Sequence, residues 1–425
     1  MMDESISRQA LIKPRSGSRM DRLFRRQVLR RLDKVQGGRL MIVDRWSSDR
    51  KTSTAGSPGS LDCRVVVHDP VFWRMLATGG SLGAGEAYMA GVWDCEDLTG
   101  LVRLFARNRS LLETMDGGLA RLTGAMLRVW HGFNRNSLRG SRNNIAAHYD
   151  LSNDFFASWL DSRMMYSSAV YETGRESLEE AQEIKLDRIC RRLDLRPTDH
   201  LVEIGTGWGG LAIHAASNYG CRVTTTTISR AQFDLAARRI RQAGLEDRIT
   251  LLLEDYRALD GCYDKLVSVE MVEAVGHQYL DTWFAKLQSL LKPDGLGLIQ
   301  AITIEDYRYA RALKTVDFIK RYIFPGSFIP SVSAITGSMA RVTDFSAIGL
   351  EDIGPSYGLT LKAWRERFEA AWPEIQAQGF DEGFRRRWRF YLAYCEGGFL
   401  ERAISDIHLL IARPGYSTAG WQPPE

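Results

Sequence analysis

The chain has 425 residues, more than one domain usually contains, and its 44% hydrophobic and 25% charged residues are typical of a globular protein. A net charge of only +4 does not indicate nucleic-acid binding, whereas a sequence pI of about 8.7 is compatible with an anionic membrane surface. Six cysteines without a C-x-x-C pair argue against a zinc site or a disulfide framework, and no apolar run is long enough to span a membrane.

The N-terminal part is predicted to form a small domain over residues 21–130, behind a polar, disordered tail over 1–20. Residues 21–34 combine many arginines with apolar residues near helical spacing. A basic amphipathic helix of this kind binds an anionic membrane or packs its apolar stripe on its own domain, and the sequence leaves both interpretations open. A loop is predicted at 45–60, and a polar linker at 131–144.

The larger part of the chain, residues 145–414, is predicted to be an α/β domain followed by a tail over 415–425. Strand and helix patterns alternate, which predicts a parallel, doubly wound sheet. A turn is predicted at 292–295, a strand at 342–353, and a lid-like insertion at about 305–340 that contains a helix over 307–324. The principal strands are predicted at 201–204, 222–228, 249–253, 263–269, 296–302 and 407–412.

The strongest local pattern is the stretch LVEIGTGWGG at 201–210, an apolar strand followed by a glycine turn and a helix. Glycines accept positive φ and allow a ligand to approach the backbone, and a helix N-terminus presents unpaired N–H groups. The spacing is not that of the dinucleotide motif. With Glu203 at the end of the strand, it resembles the first motif of S-adenosylmethionine (SAM) methyltransferases.

Polar residues follow the ends of the predicted parallel strands. In open α/β sheets, ligands bind beyond the carboxyl ends of the strands. One crevice is therefore predicted to hold Glu203, Thr227, Asp255, Glu273 and Gln300. The aromatic and methionine-rich residues 145–171 are predicted to line an apolar pocket beside it, with ordinary core packing as the alternative.

Several stretches, taken in order, resemble the cyclopropane-fatty-acyl-phospholipid synthase family, which includes the mycolic acid cyclopropane synthases. They are GSLGAGEAYM (80–89), HYDLSNDF (148–155), YSSA (166–169), VEIGTGWGG (202–210), EDYR (254–257), MVEAVG (271–276), DFIKRYIFPG (317–326) and YCEGGF (394–399). The resemblance implies a class I SAM-methyltransferase sheet whose last strand is antiparallel. It also implies a small N-terminal α+β domain that engages lipid.

The resemblance further implies a reaction on unsaturated acyl chains of membrane phospholipids. The alkene attacks the methyl group of SAM, and a carbocation forms on the chain. Removal of a proton from the new methyl group closes a cyclopropane, and in this family a bound bicarbonate accepts that proton. The alternative is a lipid C-methyltransferase whose product is a methyl-branched or methylene chain without a ring.

The resemblance also implies a catalytic set. Glu273 matches the carboxylate that orients the bicarbonate, and Glu270 is the rival acid, expected on the cofactor side. Tyr357 matches a tyrosine that hydrogen-bonds the bicarbonate, with a partly buried aromatic residue in a turn as the alternative. Ile302 matches the position that gives a backbone N–H group. His148 and His277 are alternative bases.

Two positions depart from the family pattern. Ser168 stands where many members have cysteine, and Gln300 where many have histidine. Glutamine forms hydrogen bonds but does not titrate near neutral pH, as histidine does. These departures bear on ring closure and not on methyl transfer.

For SAM, the resemblance implies a series of contacts along the crevice. Tyr166 and Ser167 are expected on the methionine part, and Glu203 near its ammonium group. No acidic residue follows the second strand, where family members often bind the ribose. The other implied SAM-binding residues are Gly205, Gly207, Trp208, Thr227, Gln232, Asp255 and Tyr256, the last two beside the adenine.

The predicted location is cytoplasmic, with peripheral contact at the inner face of the membrane. The expected partners are membrane phospholipids, with no nucleic acid and no metal. A homodimer is left open.

Overall fold

The computed structural model describes residues 17–46, 51–111 and 151–417. They divide into two compact units, the first containing the described residues up to 111 together with 381–390, and the second containing the rest. The predicted linker at 131–144, most of the tail over 1–20, the predicted tail beyond 417 and His148 lie outside the described residues. Within the described ranges, no helix is both long enough and apolar enough to cross a membrane.

The first unit is a four-stranded α+β sheet with strand order β2-β1-β3-β4. The strands β1 and β3 are parallel, and the two outer pairs are antiparallel. Leu40, Ile42, Val65 and Trp73 are buried in its core. The strands are β1 (Gly38–Asp44), β2 (Thr52–Gly56), β3 (Leu61–Val67) and β4 (Trp93–Cys95), and the helices are Arg19–Leu32, Val71–Met89 and Leu98–Arg107.

The basic helix is Arg19–Leu32, so its first two residues belong to a helix and not to the predicted tail. Ser18 and Asp21 form a capping box, which satisfies backbone N–H groups at the helix start. The apolar residues Phe24, Val28 and Leu32 are buried. The apolar stripe therefore packs within the protein, while five arginines of the helix lie exposed on the other face: Arg19, Arg22, Arg26, Arg30 and Arg31.

The second unit contains a seven-stranded sheet with strand order β10-β11-β9-β8-β5-β6-β7. Strands β5 to β9 are parallel, whereas β11 is antiparallel to β9 and β10 is antiparallel to β11. The predicted α/β class and the antiparallel last strand are confirmed. The strands are β5 (His200–Ile204), β6 (Arg222–Thr226), β7 (Ile249–Leu252), β8 (Tyr263–Val269), β9 (Leu291–Ile304), β10 (Ser346–Asp352) and β11 (Ile404–Ala412).

Helices cover both faces of this sheet because successive residues of a strand point to opposite sides. Leu201 packs with the helices Leu178–Arg192 and Gly210–Tyr219, whereas its neighbour Val202 packs with Leu280–Leu290 and Val332–Val342. The remaining α-helices are Asn153–Ala157, Arg230–Gln242, Asp306–Ala312, Phe318–Tyr322, Gly354–Ala370, Trp372–Ala377 and Glu382–Leu400. Single 3₁₀ turns lie at Tyr256–Ala258, Val272–Ala274 and His277–Tyr279.

Two predicted irregular segments are strands in the structure. The predicted loop over 45–60 contains β2, which pairs antiparallel with β1 at the edge of the first sheet. In its sequence TSTAG only Ala55 is buried, so the sequence shows no apolar alternation and the pairing partner decides its conformation. The predicted turn at 292–295 is part of β9, with a register irregularity opposite Tyr263 and Lys265.

Two further predictions were wrong in detail. The single helix predicted over 307–324 is two short helices, because Asp317 caps a new helix by accepting a hydrogen bond from the backbone N–H of Lys320. The strand predicted over 342–353 begins only at Ser346, since residue 342 still ends the preceding helix. Tyr357 lies near the start of the helix Gly354–Ala370 and not in a turn.

Candidate active site

The glycine turn lies at the carboxyl end of β5, in the centre of the parallel sheet. Gly205, Gly207 and Gly209 have φ of 100°, 52° and 87°, which explains the glycine spacing. Backbone N–H groups of Gly205 and Thr206 donate to the carbonyl of Thr226 on the neighbouring strand. The hydroxyl oxygen Oγ1 of Thr206 is buried and has no hydrogen-bond partner in the described part of the chain. Such a turn, with open space at Gly207 and an unpaired polar atom, fits a polar ligand.

Glu203 lies beneath this turn with its side chain buried between strands. Its Oε2 accepts a hydrogen bond of 2.6 Å from Thr225 on β6. Burial raises the pKa of Glu203 to about 7. The partner that the structure gives this carboxylate is therefore a residue of the sheet, and its predicted contact with the SAM ammonium group stays a prediction.

The other residues predicted to bind SAM lie along the same edge, and each has a partner within the protein. Thr227 donates to Gln232 over 2.8 Å, and the indole N–H of Trp208 donates to Asn153 over 2.8 Å. Asp255 forms an ion pair with Arg257 at 2.7 Å. Tyr256 is half-buried in the following 3₁₀ turn. The fold thus brings the predicted set to one side of the sheet, at the ends of β5, β6 and β7.

Aromatic side chains form a wall around Tyr166. Its hydroxyl lies 3.0 Å from that of Tyr391, and its ring contacts those of Phe156, Trp159, Trp364 and Phe324 at centroid distances of 5.3–6.4 Å. Next to this wall, Tyr357 stacks on Phe399 at 4.3 Å. These rings pack on one another as an aromatic core, and the pocket wall predicted for residues 145–171 stays a prediction.

The segment after Tyr166 is held against the helix Gly354–Ala370. The backbone N–H of Ala169 donates to Thr360, and that of Tyr171 donates to Ser356, each over 3.0 Å. On its other side, Lys185 donates to the hydroxyl of Ser167 over 2.7 Å. These contacts fix the backbone at Ser168, whose N–H points to the end of β8.

A buried acid cluster lies at the ends of β8 and β9, and Glu270 is its centre. Oε1 of Glu270 accepts hydrogen bonds from the backbone N–H of Ser168 (2.7 Å) and from Nε2 of Gln300 (2.9 Å). Oε2 accepts one from the hydroxyl of Tyr357 (2.7 Å). Three of the residues predicted to surround an anion therefore surround the carboxylate of Glu270, which the sequence had assigned to the cofactor side.

Gln300 links the cluster to the last strand. Its Nε2 also donates to Asp406 over 2.8 Å, and its Oε1 lies 3.1 Å from Nε2 of His408. Gln300 faces His408 in the register of β9 and β11, which explains the meeting of residues so far apart in the chain. Burial lowers the pKa of His408 to about 3 and raises that of Asp406 well above its usual value. His408 is therefore uncharged at neutral pH, and burial disfavours the ionised form of Asp406.

Glu273 lies beside this cluster with fewer partners. Its Oε1 accepts a hydrogen bond of 2.6 Å from the backbone N–H of Ile302, the group that the family resemblance assigns to the bicarbonate. Its Oε2 is buried and has no hydrogen-bond partner among the described residues. Burial, followed by the charge of Glu270, raises the pKa of Glu273 to about 8.

Sequence reasoning did not predict that Lys185, Asp406 and His408 take part in the cluster. Lys185 is completely buried in the helix Leu178–Arg192, and burial lowers its pKa to about 8. A lysine at an inward position of an amphipathic helix was the available signal. Asp406 had none, because its partner Gln300 is 106 positions away.

The comparisons with known proteins agree with this architecture. The family model for mycolic acid cyclopropane synthetase matches residues 136–409. The chain is 38% identical to tuberculostearic acid methyltransferase UfaA1 of Mycobacterium tuberculosis, over 85% of this chain and 87% of that protein. It is also 38% identical to cyclopropane-fatty-acyl-phospholipid synthase of Escherichia coli, over 84% of this chain and 89% of that protein.

Solved structures give the same family. The cyclopropane synthase MmaA2 from Mycobacterium tuberculosis is similar with a TM-score of 0.60 and 29% identity, covering 64% of this chain and 98% of that one. The mycolic acid cyclopropane synthase CmaA1, in complex with SAH and CTAB, matches with the same score, identity and coverage. The chain therefore belongs to the mycolic acid cyclopropane synthetase family and is a SAM-dependent methyltransferase.

Proposed function

We propose that this enzyme transfers a one-carbon unit from SAM to the double bond of unsaturated acyl chains in membrane phospholipids and closes a cyclopropane ring. The observation that carries the proposal is the buried carboxylate cluster around Glu270, next to the aromatic wall at Tyr166 and Tyr357. The cluster supplies a proton acceptor, and the wall supplies apolar surface for an acyl chain.

SAM fits the glycine turn at the end of β5. Gly205 and Gly207 allow close approach, and Thr206 presents the unpaired hydroxyl. The residues that would hold SAM are the individual SAM-binding residues predicted from the sequence. The first of them in the chain is Tyr166 and the last is Tyr256. When bound there, SAM supplies an electrophilic methyl group.

The chain's own residues must then stabilise a cation on the acyl chain. The faces of aromatic rings attract cations, and they do so more strongly where water is excluded. Tyr166, Tyr357 and Phe399 provide such rings, and the carboxylate of Glu270 provides negative charge behind them. Tyr357 and Phe399 are buried, so this side of the site is closed to water, which would otherwise trap the cation as an alcohol.

A second candidate is methyl transfer without ring closure, which yields a methyl-branched or methylene chain. The observation that favours it is Gln300, a neutral amide that is hydrogen-bonded to Asp406 and to the uncharged His408. Gln300 does not titrate near neutral pH as the histidine of many family members does. The product then depends on whether another group takes the proton from the cationic acyl chain.

Substrate access is proposed to occur at a membrane surface, through peripheral contact of the first unit. Its basic helix presents five exposed arginines, and anionic lipid headgroups attract such a face. The location that we propose is the inner face of the membrane.

The test is incubation of the protein and SAM with vesicles of monounsaturated phospholipid, followed by mass spectrometry and product NMR. We expect a gain of one CH2 unit per acyl chain with the proton signals of a cyclopropane, and no gain in fully saturated vesicles. A branched or methylene chain of the same mass would select the second candidate. SAM binding without any gain would refute both.

A further inference from the structure

The end of β8 carries a backbone conformation that its residue type does not favour. Glu270 has φ of 47°, in the left-handed region, where residues other than glycine, asparagine and aspartate are uncommon. Its N–H donates to the carbonyl of Gln300, so the strand pairing with β9 holds it there. Strained residues of this kind cluster at functional sites. Here the conformation directs the side chain into the acid cluster.

The carboxylate of Glu270 accepts hydrogen bonds from three donors. They come from three separate parts of the chain, the N–H of Ser168, the amide of Gln300 and the hydroxyl of Tyr357, at 2.7–2.9 Å. Hydrogen bonds to the ionised form stabilise it. The buried ammonium group of Lys185 adds a favourable charge interaction.

These donors include three of the positions that the family resemblance assigns to bicarbonate. A bicarbonate bound by the same groups would have to share them with Glu270. It would also lie next to a carboxylate, and two unit charges about 4 Å apart repel by roughly 4 kcal/mol at an effective dielectric constant of about 20. The residues present therefore do not fit a separate bicarbonate ion.

We infer that Glu270 is itself the anion of this site and the base that takes the proton from the methylated acyl chain, so that the reaction does not use bicarbonate. This inference rests on the proposed function for the step it describes. The hydrogen bonds from the anion-binding donors to Glu270 do not depend on which substrate the enzyme uses.

The proposed step transfers one proton from the acyl chain to Glu270. After gaining the methyl group, the acyl chain is a cation. A C–H bond of the new methyl group breaks, its electron pair forms the third C–C bond of the ring, and the proton passes to a carboxylate oxygen of Glu270. The resulting acid must return this proton to solvent before the next turnover.

The neighbouring groups suit this assignment. Burial raises the pKa of Glu270, which strengthens the base, and the N–H of Ser168 and the hydroxyl of Tyr357 act in the opposite direction. Glu273 has one backbone donor and a buried oxygen without a partner among the described residues, against three donors at Glu270, so it is the poorer candidate for the ionised member. Burial, followed by the charge of Glu270, raises the pKa of Asp406 well above its usual value, which disfavours its ionised form.

The decisive variant is Glu270→Gly. Glycine adopts the φ of this position without strain, and its substitution removes the carboxylate while leaving the donors of Ser168, Gln300 and Tyr357 in place. Glu270→Gln is the size-matched comparison, which removes the charge but keeps the pocket filled. Asp194→Gly is the backbone control, because Asp194 also has a left-handed φ, of 46°, and lies outside the cluster.

Two measurements separate the inference from the proposed function. The first is binding of 13C-bicarbonate, followed by NMR, to each protein in the presence of SAH. The second is turnover of unsaturated phospholipid vesicles in buffer freed of carbon dioxide, before and after bicarbonate is added.

We expect no bicarbonate binding to the wild-type protein or to Glu270→Gln, and binding to Glu270→Gly. We also expect wild-type turnover to be independent of bicarbonate. Turnover of Glu270→Gly should fall by roughly a hundredfold or more, as for loss of a general base, and added bicarbonate should restore roughly tenfold or more. Asp194→Gly should behave like the wild type.

Bicarbonate binding to the wild-type protein, or wild-type turnover that requires it, would overturn the inference. So would full turnover of Glu270→Gly in bicarbonate-free buffer. If no protein converts the vesicles, the proposed function fails, and the binding measurement, which needs no lipid, still decides whether Glu270 is the anion of the site.

Discussion

The hydroxyl of Tyr357 donates a hydrogen bond of 2.7 Å to Oε2 of Glu270, although 87 positions separate the two residues in the chain. The contact joins the helix Gly354–Ala370 to the end of β8. It places an aromatic ring and a carboxylate side by side, which is the combination that a cationic hydrocarbon intermediate requires.

Substitution Tyr357→Phe should lower turnover and leave SAM binding nearly unchanged. A hydrogen bond to a charged group contributes about 1.5–3 kcal/mol, so we expect kcat to fall by roughly ten- to a hundredfold. Loss of this donor also raises the pKa of the Glu270 carboxylate. The acidic limb of the kcat–pH profile should therefore move to higher pH.

The matched control is Tyr219→Phe, which removes a tyrosine hydroxyl bonded to the carboxylate of Asp187 at 2.6 Å, outside the cluster. It should leave kcat and its pH profile unchanged. Equal effects of the two substitutions would show that the loss at Tyr357 is one of general stability.

The raised pKa of Glu273 predicts that the free energy of unfolding depends on pH. Its pKa is raised to about 8 in the folded protein, against an ordinary value of 4.5. Between these values the folded state binds more protons than the unfolded state, so the free energy of unfolding falls as pH rises, by at most about 1.4 kcal/mol per pH unit. The contribution is fully present below pH 4.5 and is lost as pH rises through about 8.

Glu273→Gln imitates the protonated form and should remove this part of the slope. Urea unfolding should give similar stabilities for variant and wild type near pH 5 and a relative gain for the variant near pH 8. The exposed Glu246→Gln is the control for loss of a carboxylate. Parallel stability curves for Glu273→Gln and wild type would contradict the assignment.

The glycine turn predicts a specific loss of SAM affinity. Gly205 has φ of 100°, and an added Cβ would lie 3.4 Å from Cγ of Met271. Alanine in such a conformation costs about 1–2 kcal/mol. If the turn moves to relieve this strain, Gly205→Ala should weaken SAM binding by roughly tenfold, since 1.4 kcal/mol corresponds to that factor.

Isothermal titration calorimetry with SAM measures this change. Gly244→Ala is the matched control, because Gly244 has φ of 67° and no atom within 4 Å of an added Cβ. Both variants should lose some thermal stability, whereas only Gly205→Ala should lose affinity. An unchanged dissociation constant would remove the turn from the SAM site.

The exposed face of the basic helix Arg19–Leu32 predicts salt-sensitive membrane binding. Reversal of three exposed charges, by Arg22→Glu, Arg26→Glu and Arg30→Glu, should weaken sedimentation with anionic vesicles by at least tenfold at low salt, since each cation near the surface contributes about 1 kcal/mol. Binding of the wild type should itself weaken as salt is added.

The control makes the same change in charge on the other unit. Arg230, Arg238 and Arg241 are exposed on the helix Arg230–Gln242, and their replacement by glutamate should leave vesicle binding near the wild-type level. Equal losses from the two triple variants would indicate dependence on net charge alone. If the triple variant of the basic helix binds vesicles as well as the wild type does, this helix is not the membrane contact.

The sequence by itself determined the α/β class, the glycine turn at 205–209 and the family. These depend on local patterns, namely strand and helix periodicity and the positive φ that glycine permits. It also brought Tyr357, Ser168, Gln300 and Ile302 into one predicted site through the family motifs. Elements whose conformation depends on a distant partner, such as β2 on the edge of the first sheet, were predicted wrongly.

Only the tertiary structure decided which carboxylate is the centre of the cluster. Glu270 and Glu273 are three residues apart, and no local pattern distinguishes them. The choice depends on the left-handed φ of Glu270, which turns its side chain toward donors from three distant segments. Likewise, Lys185 and Asp406 enter the site because a helix packs on the sheet and β11 aligns with β9. Chain separation hides such contacts from sequence, since burial and register arise only when the whole sheet has formed.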